Sequence, residues 1–354
     1  MKKIRIGIWG LGRGGLGMCA SSILKLPEMY DVVAGCDIAQ DRIDAAKEII
    51  PSAHFYLNSE DFLKDKDVEL VLIATRSVDH CSDAIRALSH GKYVFLEKPF
   101  ATSYSDAKKL KRVSQKYPGK LFFRLNRRYE PAFNHVMEII SSGVLGEIYE
   151  VQMNRHSYQR RSDWQTILKY GGGQLCNWGP HIIDHALCFL DSPVADIWSN
   201  LKKIAALGDA EDHVKIIFTG KNGRVVEMEI SGGVSIPQNE YIVFGTKGTL
   251  TCDGEIGNTI KMKYLDPRQK LSKKKASHGN PSLKAGFSSE EKLKWIEKTM
   301  PVAPRNGFHV EYIWEDLFYA IRKGRKYPIT IDHGVEIIRI IEAVRKGSQF
   351  KSKG

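Results

Sequence analysis

Short apolar runs and amphipathic stretches alternate through the first third of the chain. Residues Ile4–Gly10, Val32–Asp37, Val68–Thr75, Tyr93–Glu97 and Leu121–Leu125 are nearly continuous apolar runs, the pattern of strands buried on both faces of a parallel sheet. Between them, residues 14–26, 40–50, 79–90 and 103–117 repeat apolar positions at helical spacing. Ser103 followed by Asp106 reads as a helix start, and Pro118-Gly119 as a stop. This alternation predicts a doubly wound α/β domain over residues 1–126. The rhythm changes near Asn126. A helical stretch, Pro131–Ser142, ends at Gly143. Strand-like runs then follow without helices between them: Ile148–His156, Asp196–Ala205, Val214–Thr219, Arg224–Ser231, Tyr241–Phe244 and Thr249–Thr251. Tight connections such as Gly220–Gly223 predict a large, mostly antiparallel open sheet. Two helices, near 308–323 and 333–346, close the chain, with Gly324 and Gly347 where C′ glycines belong. Residues 127–354 are therefore expected to form a second, α+β domain. Residues 266–305, rich in Lys, Ser and Pro without a clear period, read as a long loop or insertion.

A chain of 354 residues is long for one core and comfortable for two. No apolar run is long enough to span a bilayer, and strand-like residues begin at Ile4, leaving no room for a signal peptide. The expectation is a cytoplasmic protein with no membrane partner. The six cysteines form no C-x-x-C pair, which argues against a zinc knuckle or a disulfide scaffold. The net charge of +12 is concentrated in Lys261–Lys275 and at Lys346, Lys351 and Lys353. Aromatics for base stacking are not interleaved there. The excess reads as a solvated face or an attraction for an anionic cofactor, and no nucleic-acid partner is expected.

Three segments carry chemistry. The first is Gly10-Leu11-Gly12-Arg13-Gly14-Gly15, a G-x-G-x-x-G pattern between a predicted strand and a predicted helix, with Asp37 ending the next strand. Gly10 permits the tight turn, Gly12 lets a pyrophosphate approach the backbone, and Gly15 lets helix and strand pack closely. Asp37 would accept from ribose hydroxyls and repel a 2′-phosphate, so NAD is expected over NADP; Arg42 is the nearest cation. The second segment runs from Gly91 to Glu97-Lys98-Pro99. Lys98 either pairs with Glu97 or uses its ammonium to stabilise a developing alkoxide. The third runs from Gly171-Gly172-Gly173 through Asn177 to His181 and Asp184. Histidine suits proton transfer near neutral pH, though His181 also fits the first turn of a helix with Pro180 at its start. His181 and Asp184 would share a helical face. His181 and His185 are spaced like a helical metal pair, but no H-E-x-x-H pattern occurs and no metal is expected.

Together, the glycine fingerprint, Glu97-Lys98-Pro99 and the glycine run before His181-x-x-Asp184 resemble the glucose–fructose oxidoreductase / inositol dehydrogenase (Gfo/Idh/MocA) family, over nearly the whole chain. The resemblance implies that Lys98 and His181 are catalytic and that Asn177, where the family often has aspartate, helps orient substrate. It implies cofactor contacts from Gly10, Gly12, Arg13, Gly14, Gly15, Asp37, Thr75, Arg76, Ser77, His80, Glu97 and Lys98. Thr75–His80 departs from the common T-P-N-x-x-H, with Arg76 and Ser77 near the nicotinamide side. Substrate contacts are expected from Lys98, Arg128, His156, Arg161, Trp164, Asn177, His181 and Asp184. Polar groups suit sugar hydroxyls and the arginines suit an acidic sugar. The implied activity is NAD(H)-dependent hydride transfer to or from a secondary alcohol or ketone of a pyranose sugar, glycoside or cyclitol. The alternatives are glycoside cleavage through transient oxidation and a non-catalytic NAD-dependent sensor of a protein partner. A homodimer or homotetramer is also implied.

Overall fold

The computed structural model describes residues 1–273 and 291–350. Lys274, Lys275, Lys351 and Lys353, part of the basic excess, lie outside the described residues. The first sheet contains β1 (Ile4–Trp9), β2 (Tyr30–Cys36), β3 (His54–Tyr56), β4 (Leu70–Ile73), β5 (Tyr93–Leu96) and β6 (Leu121–Phe123). All pairs are parallel, in the order β3-β2-β1-β4-β5-β6. This is the Rossmann arrangement, in which strand order reverses between β1 and β4 and ligands bind beyond the carboxyl ends there. Its central strands are almost wholly apolar because helices cover both faces; every residue of β4 is buried, and Arg5 is the one charged residue of β1.

The second sheet contains β7 (Ile148–His156), β8 (Val194–Lys202), β9 (His213–Gly220), β10 (Val225–Ser231), β11 (Tyr241–Gly245), β12 (Gly248–Cys252), β13 (Thr259–Leu265) and β14 (Trp295–Pro301). The order is β14-β13-β12-β11-β7-β10-β9-β8, antiparallel except where β10 runs beside β7. Along β9 buried and partly exposed residues alternate strictly, and along β10 they alternate up to Ile230, as expected of a sheet with one face on the core. That core is covered by helix Gly179–Leu190.

The structure corrects two expectations. Residues 295–301, placed in the 266–305 loop, form β14 against β13. As an edge strand exposed on most of its length, it carries no apolar alternation to read. Gly347 lies inside the helix Ile331–Ser348, and Gln349 takes the left-handed conformation beyond it, whereas Gly324 does occupy such a position. The chain after β14 returns to the parallel sheet. Helix Tyr312–Lys323 lays Trp314, fully buried, against Phe95 and Tyr30 at centroid distances of 5.0 and 5.9 Å. Helix Ile331–Ser348 packs beside β6 and β8: its Gly334 lies against Phe100 in the loop after β5, and the Val344 carbonyl accepts from Ser199 on β8. Among the described residues no helix is long and apolar enough to cross a membrane.

Trp314 fills the seam between the returning helix and β5. Trp314→Ala should lower the unfolding free energy by roughly 3–5 kcal/mol, read by denaturant titration. Its ring nitrogen is buried without a hydrogen-bond partner among the described residues, so Trp314→Phe should cost less than half as much. Equal losses for the two variants would mean that ring packing is not what Trp314 contributes.

Candidate active site

The carboxyl ends of β1, β2, β4 and β5 converge on one edge of the parallel sheet. After β1, Gly10 adopts φ +99°, and a Cβ there would meet the Ala74 carbonyl at 2.6 Å. A Cβ on Gly15 would lie 1.9 Å from the Gly10 oxygen, so the following helix packs directly on the turn. A Cβ on Gly12 would meet nothing within 4 Å. That open cradle is where a pyrophosphate needs close backbone approach. The helix Arg13–Ala20 starts there and is wound as a π-helix, a form that concentrates at functional sites; Gly14 lines its first turn and Arg13 is exposed. Asp37, at the end of β2, accepts from the Leu11 and Ala39 amides at 2.8 and 3.0 Å. It is thereby fixed beside the glycine turn. These groups fit a dinucleotide.

The loop after β4 carries Thr75, whose hydroxyl donates to Asp83 at 2.8 Å, and Arg76, whose guanidinium lies 5.1 Å over the Tyr170 ring. His80 is buried, with Nδ1 2.8 Å from the Pro99 oxygen and Nε2 3.2 Å from that of Thr75. It ties the two loops together. After β5, Glu97 does not pair with the Lys98 side chain. It forms a buried ion pair with Arg124 at the end of β6, and accepts from the Lys98 amide at 3.0 Å. Burial would raise the Glu97 carboxyl, yet the Arg124 and Lys98 charges hold it below the usual range. Arg124 was not singled out by its sequence. Its partner is 27 residues away, and only the adjacency of β5 and β6 brings them together.

With Glu97 occupied, Lys98 Nζ crosses to the second domain and donates to Asn177 O and Oδ1, each at 3.0 Å. The Lys98-Pro99 peptide is cis. Burial depresses the ammonium pKa; Glu97 opposes this, and the Arg124 and Arg161 charges add to it. Asn177 Oδ1 also accepts from Gln165 Nε2 at 3.3 Å, and Gln165 Oε1 accepts from Arg161 at 2.6 Å. Trp164, Ser77, Cys176 and the Gly171–Gly173 turn line the cavity around Lys98.

His181 sits in the first turn of helix Gly179–Leu190, buried, with Nδ1 lacking any partner among the described residues. Burial first, then the charges of Lys98 and Arg127, hold its pKa well below 6.5. That shift favours its neutral form. His185, one turn later, is committed to the core: it stacks on Phe133 at 3.9 Å, and its nitrogens lie against Arg127 O and Tyr241 Oη. Arg128 and Asp184 grip each other in a bidentate pair, at 2.6 and 2.5 Å. His156 faces Glu229 on β10 at 3.1 Å and does not line the cavity around Lys98. The structure therefore brings Lys98, Asn177, Arg161, Trp164 and Ser77 together. It pairs Arg128 with Asp184 and sets His156 apart.

Residues 4–124 match the family model described as oxidoreductase family, NAD-binding Rossmann fold, and residues 133–251 match the GFO/IDH/MocA C-terminal domain. Scyllo-inositol 2-dehydrogenase (NADP+) of Bacillus subtilis is 25% identical, covering 98% of this chain and 94% of that protein. Myo-inositol 2-dehydrogenase of Thermotoga maritima is 24% identical, covering 73% of this chain and 77% of its own. Among solved structures, the WlbA dehydrogenase of Bordetella pertussis, in complex with NADH and UDP-GlcNAcA, superposes with a TM-score of 0.77 at 20% identity over 98% of this chain and 96% of that one.

One site carboxyl has a readable titration. Glu211 is 3% exposed, accepts from the Leu175 amide at 3.0 Å, and is pushed by burial from 4.5 up to about 7. Between those pH values the folded chain holds a proton that the unfolded chain has released, so stability falls as pH rises through this window. Glu211→Gln removes that loss. The unfolding free energy of the variant relative to the parent should rise between pH 4 and pH 8, by at most about 3 kcal/mol. A difference independent of pH would show that Glu211 ionises normally.

Proposed function

The chain belongs to the GFO/IDH/MocA family and is an NAD(P)-dependent oxidoreductase acting on CH–OH groups, and we propose that its substrate is a secondary carbinol of a pyranose sugar, glycoside or cyclitol, oxidised or formed with NAD. The observation that carries this reading is a part-buried ammonium, Lys98, at the carboxyl edge of the parallel sheet, whose charge acts on the imidazole of His181, a ring with one nitrogen unpartnered among the described residues. The curated relatives named for inositol dehydrogenation agree with it. Gly10, Gly12, Gly14 and Gly15 would cradle the pyrophosphate, and Asp37 the adenosine ribose. The carboxylate of Asp37 stands where a 2′-phosphate would add like charge, which favours NAD. Nicotinamide, when bound, supplies the hydride acceptor or donor.

The remaining work falls to the chain. In the oxidative direction, His181 takes the hydroxyl proton. Its depressed pKa keeps it unprotonated and ready to accept. Lys98 donates a hydrogen bond to the same oxygen and stabilises its growing negative charge. Two of its donor directions are fixed by Asn177, so the ammonium is aimed before substrate arrives. Removal of water from the cleft strengthens both interactions.

Lys98→Ala and His181→Ala should each lower kcat by roughly 10²- to 10⁴-fold while leaving NAD affinity within a fewfold of the parent, measured by nicotinamide absorbance and calorimetry. Full turnover in either variant removes that residue from the chemistry. The depressed His181 pKa also places the acid limb of kcat/KM below pH 6.5 in the oxidative direction. Gly12→Val separates the cofactor assignment from folding. Its side chain meets no protein atom at Cβ, so the melting temperature should hold while NAD affinity falls at least about tenfold. Unchanged affinity would place the dinucleotide elsewhere.

A further inference from the structure

Two side-chain amides join two cations across the candidate active site. Arg161, itself paired with Asp163, donates to Gln165 Oε1 at 2.6 Å. Gln165 Nε2 donates to Asn177 Oδ1 at 3.3 Å, and Lys98 Nζ donates to the same Oδ1 at 3.0 Å. The direction of each bond is fixed from the ends of this chain. A guanidinium has no acceptor, so the Gln165 atom that faces Arg161 is its oxygen. The atom that faces Asn177 is then the amide nitrogen. Asn177 must answer with its oxygen, because a flipped amide would set its NH2 against two donors. The Gln165 backbone is also held: its N–H donates to Asp163 at 2.9 Å, and its carbonyl accepts from Gly173 at 2.8 Å.

One donor is left over. Asn177 Oδ1 is used twice, whereas Asn177 Nδ2 has no partner among the described residues and is not buried. Asn177 lines the cavity around Lys98 and an adjoining one that also shares Gln165 and Gly173. Lys98 keeps a third N–H beyond the two that Asn177 takes. The carboxylates Glu211 and Asp212 line only the adjoining cavity, and no carboxylate lines the one around Lys98. Beside the ammonium, the Asn177 side chain therefore offers a ligand hydrogens and no free lone pair. A site built to bond one group rejects an analogue that lacks it, since the site's own polar group is then left unpaired.

We propose that Asn177 is a specificity-determining residue: its Nδ2 selects a carbinol whose neighbouring carbon carries an oxygen that accepts a hydrogen bond, with an ether or carbonyl oxygen serving as well as a hydroxyl. This rests on the reading of the Lys98 cavity as the reaction site. Aspartate at this position would reverse the requirement. With one oxygen taken by Lys98 and Gln165, its other oxygen could only accept, and the neighbouring group would have to donate. Gln165 sets the orientation from behind. Gln165→Glu would face Asn177 with a carboxylate, draw the NH2 toward it and leave Oδ1 facing the cavity.

The test uses two probe series, glucose and myo-inositol, each with its mono-deoxy and mono-O-methyl analogues. Binding to the NADH-loaded protein is measured by calorimetry, and turnover with NAD by nicotinamide absorbance. At one ring position deoxygenation should weaken binding at least about tenfold, while O-methylation there changes it by less than about threefold. In Asn177→Asp, O-methylation at that position should cost at least about tenfold, because an ether has no hydrogen to donate. Gln165→Glu should move the preference in the same direction with Asn177 in place, and melting temperatures confirm that both variants fold. An ether-to-hydroxyl ratio that is the same in the parent and both variants overturns the proposal. So does a parent that rejects the ether as strongly as the deoxy analogue. The expected binding pattern without turnover of any probe retains the donor role of Asn177 and removes the dehydrogenase reading of the cavity.

Discussion

Holding one part-buried ammonium group between the parallel sheet and the turn before helix Gly179–Leu190 is the constraint on which the site depends. A lysine removed from water loses solvation worth several kcal/mol unless its hydrogens find acceptors. Glu97 is the nearest acid in sequence, but Arg124 holds it. Lys98 therefore reaches across to Asn177. This arrangement does two things at once. It stitches the loop after β5 to the turn before helix Gly179–Leu190, and it keeps the lysine charge available because its partners are neutral. A carboxylate partner would have stabilised the ammonium more strongly and left less of its field for a ligand.

The histidines near the site show how hydrogen bonding sorts structure from chemistry. His80 and His185 are buried with both ring nitrogens hydrogen-bonded, and His156 accepts from the Gln238 amide through Nδ1 and turns Nε2 toward Glu229. Their rings hold loops and strands in place. Two of the four have a buried ring nitrogen without a hydrogen-bond partner among the described residues, His156 Nε2 and His181 Nδ1, but His156 Nε2 lies 3.1 Å from the Glu229 carboxylate, whereas no polar contact of His181 Nδ1 is present there. An unsatisfied buried acceptor or donor costs stability, and a protein retains it most readily where a ligand completes it. Sequence spacing could not make this distinction, because His181 and His185 occupy equivalent faces of one helix.

Much of the fold is legible in the chain because the parallel strands are buried on both faces and the first helices are amphipathic. The short β3 is three residues long, and β13 alternates lysines with apolar residues; neither produces a run. β14 is an edge with little burial. At the site, the glycine turn and Lys98 announce themselves through local motifs. Arg124, Gln165 and Glu211 do not. Each is an ordinary polar residue whose significance comes from a partner on another element: Glu97, Asn177 and the Leu175 amide. Arg128 and Asp184, both read as substrate contacts, satisfy each other across 56 residues. Sequence reveals that they are polar and close to the site, but not that their charges cancel.

The turn that carries Asn177 is set by an equally nonlocal contact. Gly173 adopts φ +103°, and a Cβ there would lie 2.1 Å from Glu211 Oε1. Only glycine satisfies both the dihedral and the approach of the carboxyl. Glu211, on the connection between β8 and β9, then accepts from the Leu175 amide while its backbone oxygen accepts from Gln174 at 2.9 Å. The free amides that open a helical turn are thus satisfied by a residue on a connection of the antiparallel sheet. The position of Asn177, and through it the direction of Lys98, is inherited from that sheet. The glycine run is therefore better understood as a docking surface for a buried carboxyl than as a flexible hinge. Its rigidity is what lets two domains built from separate sheets present one reaction centre.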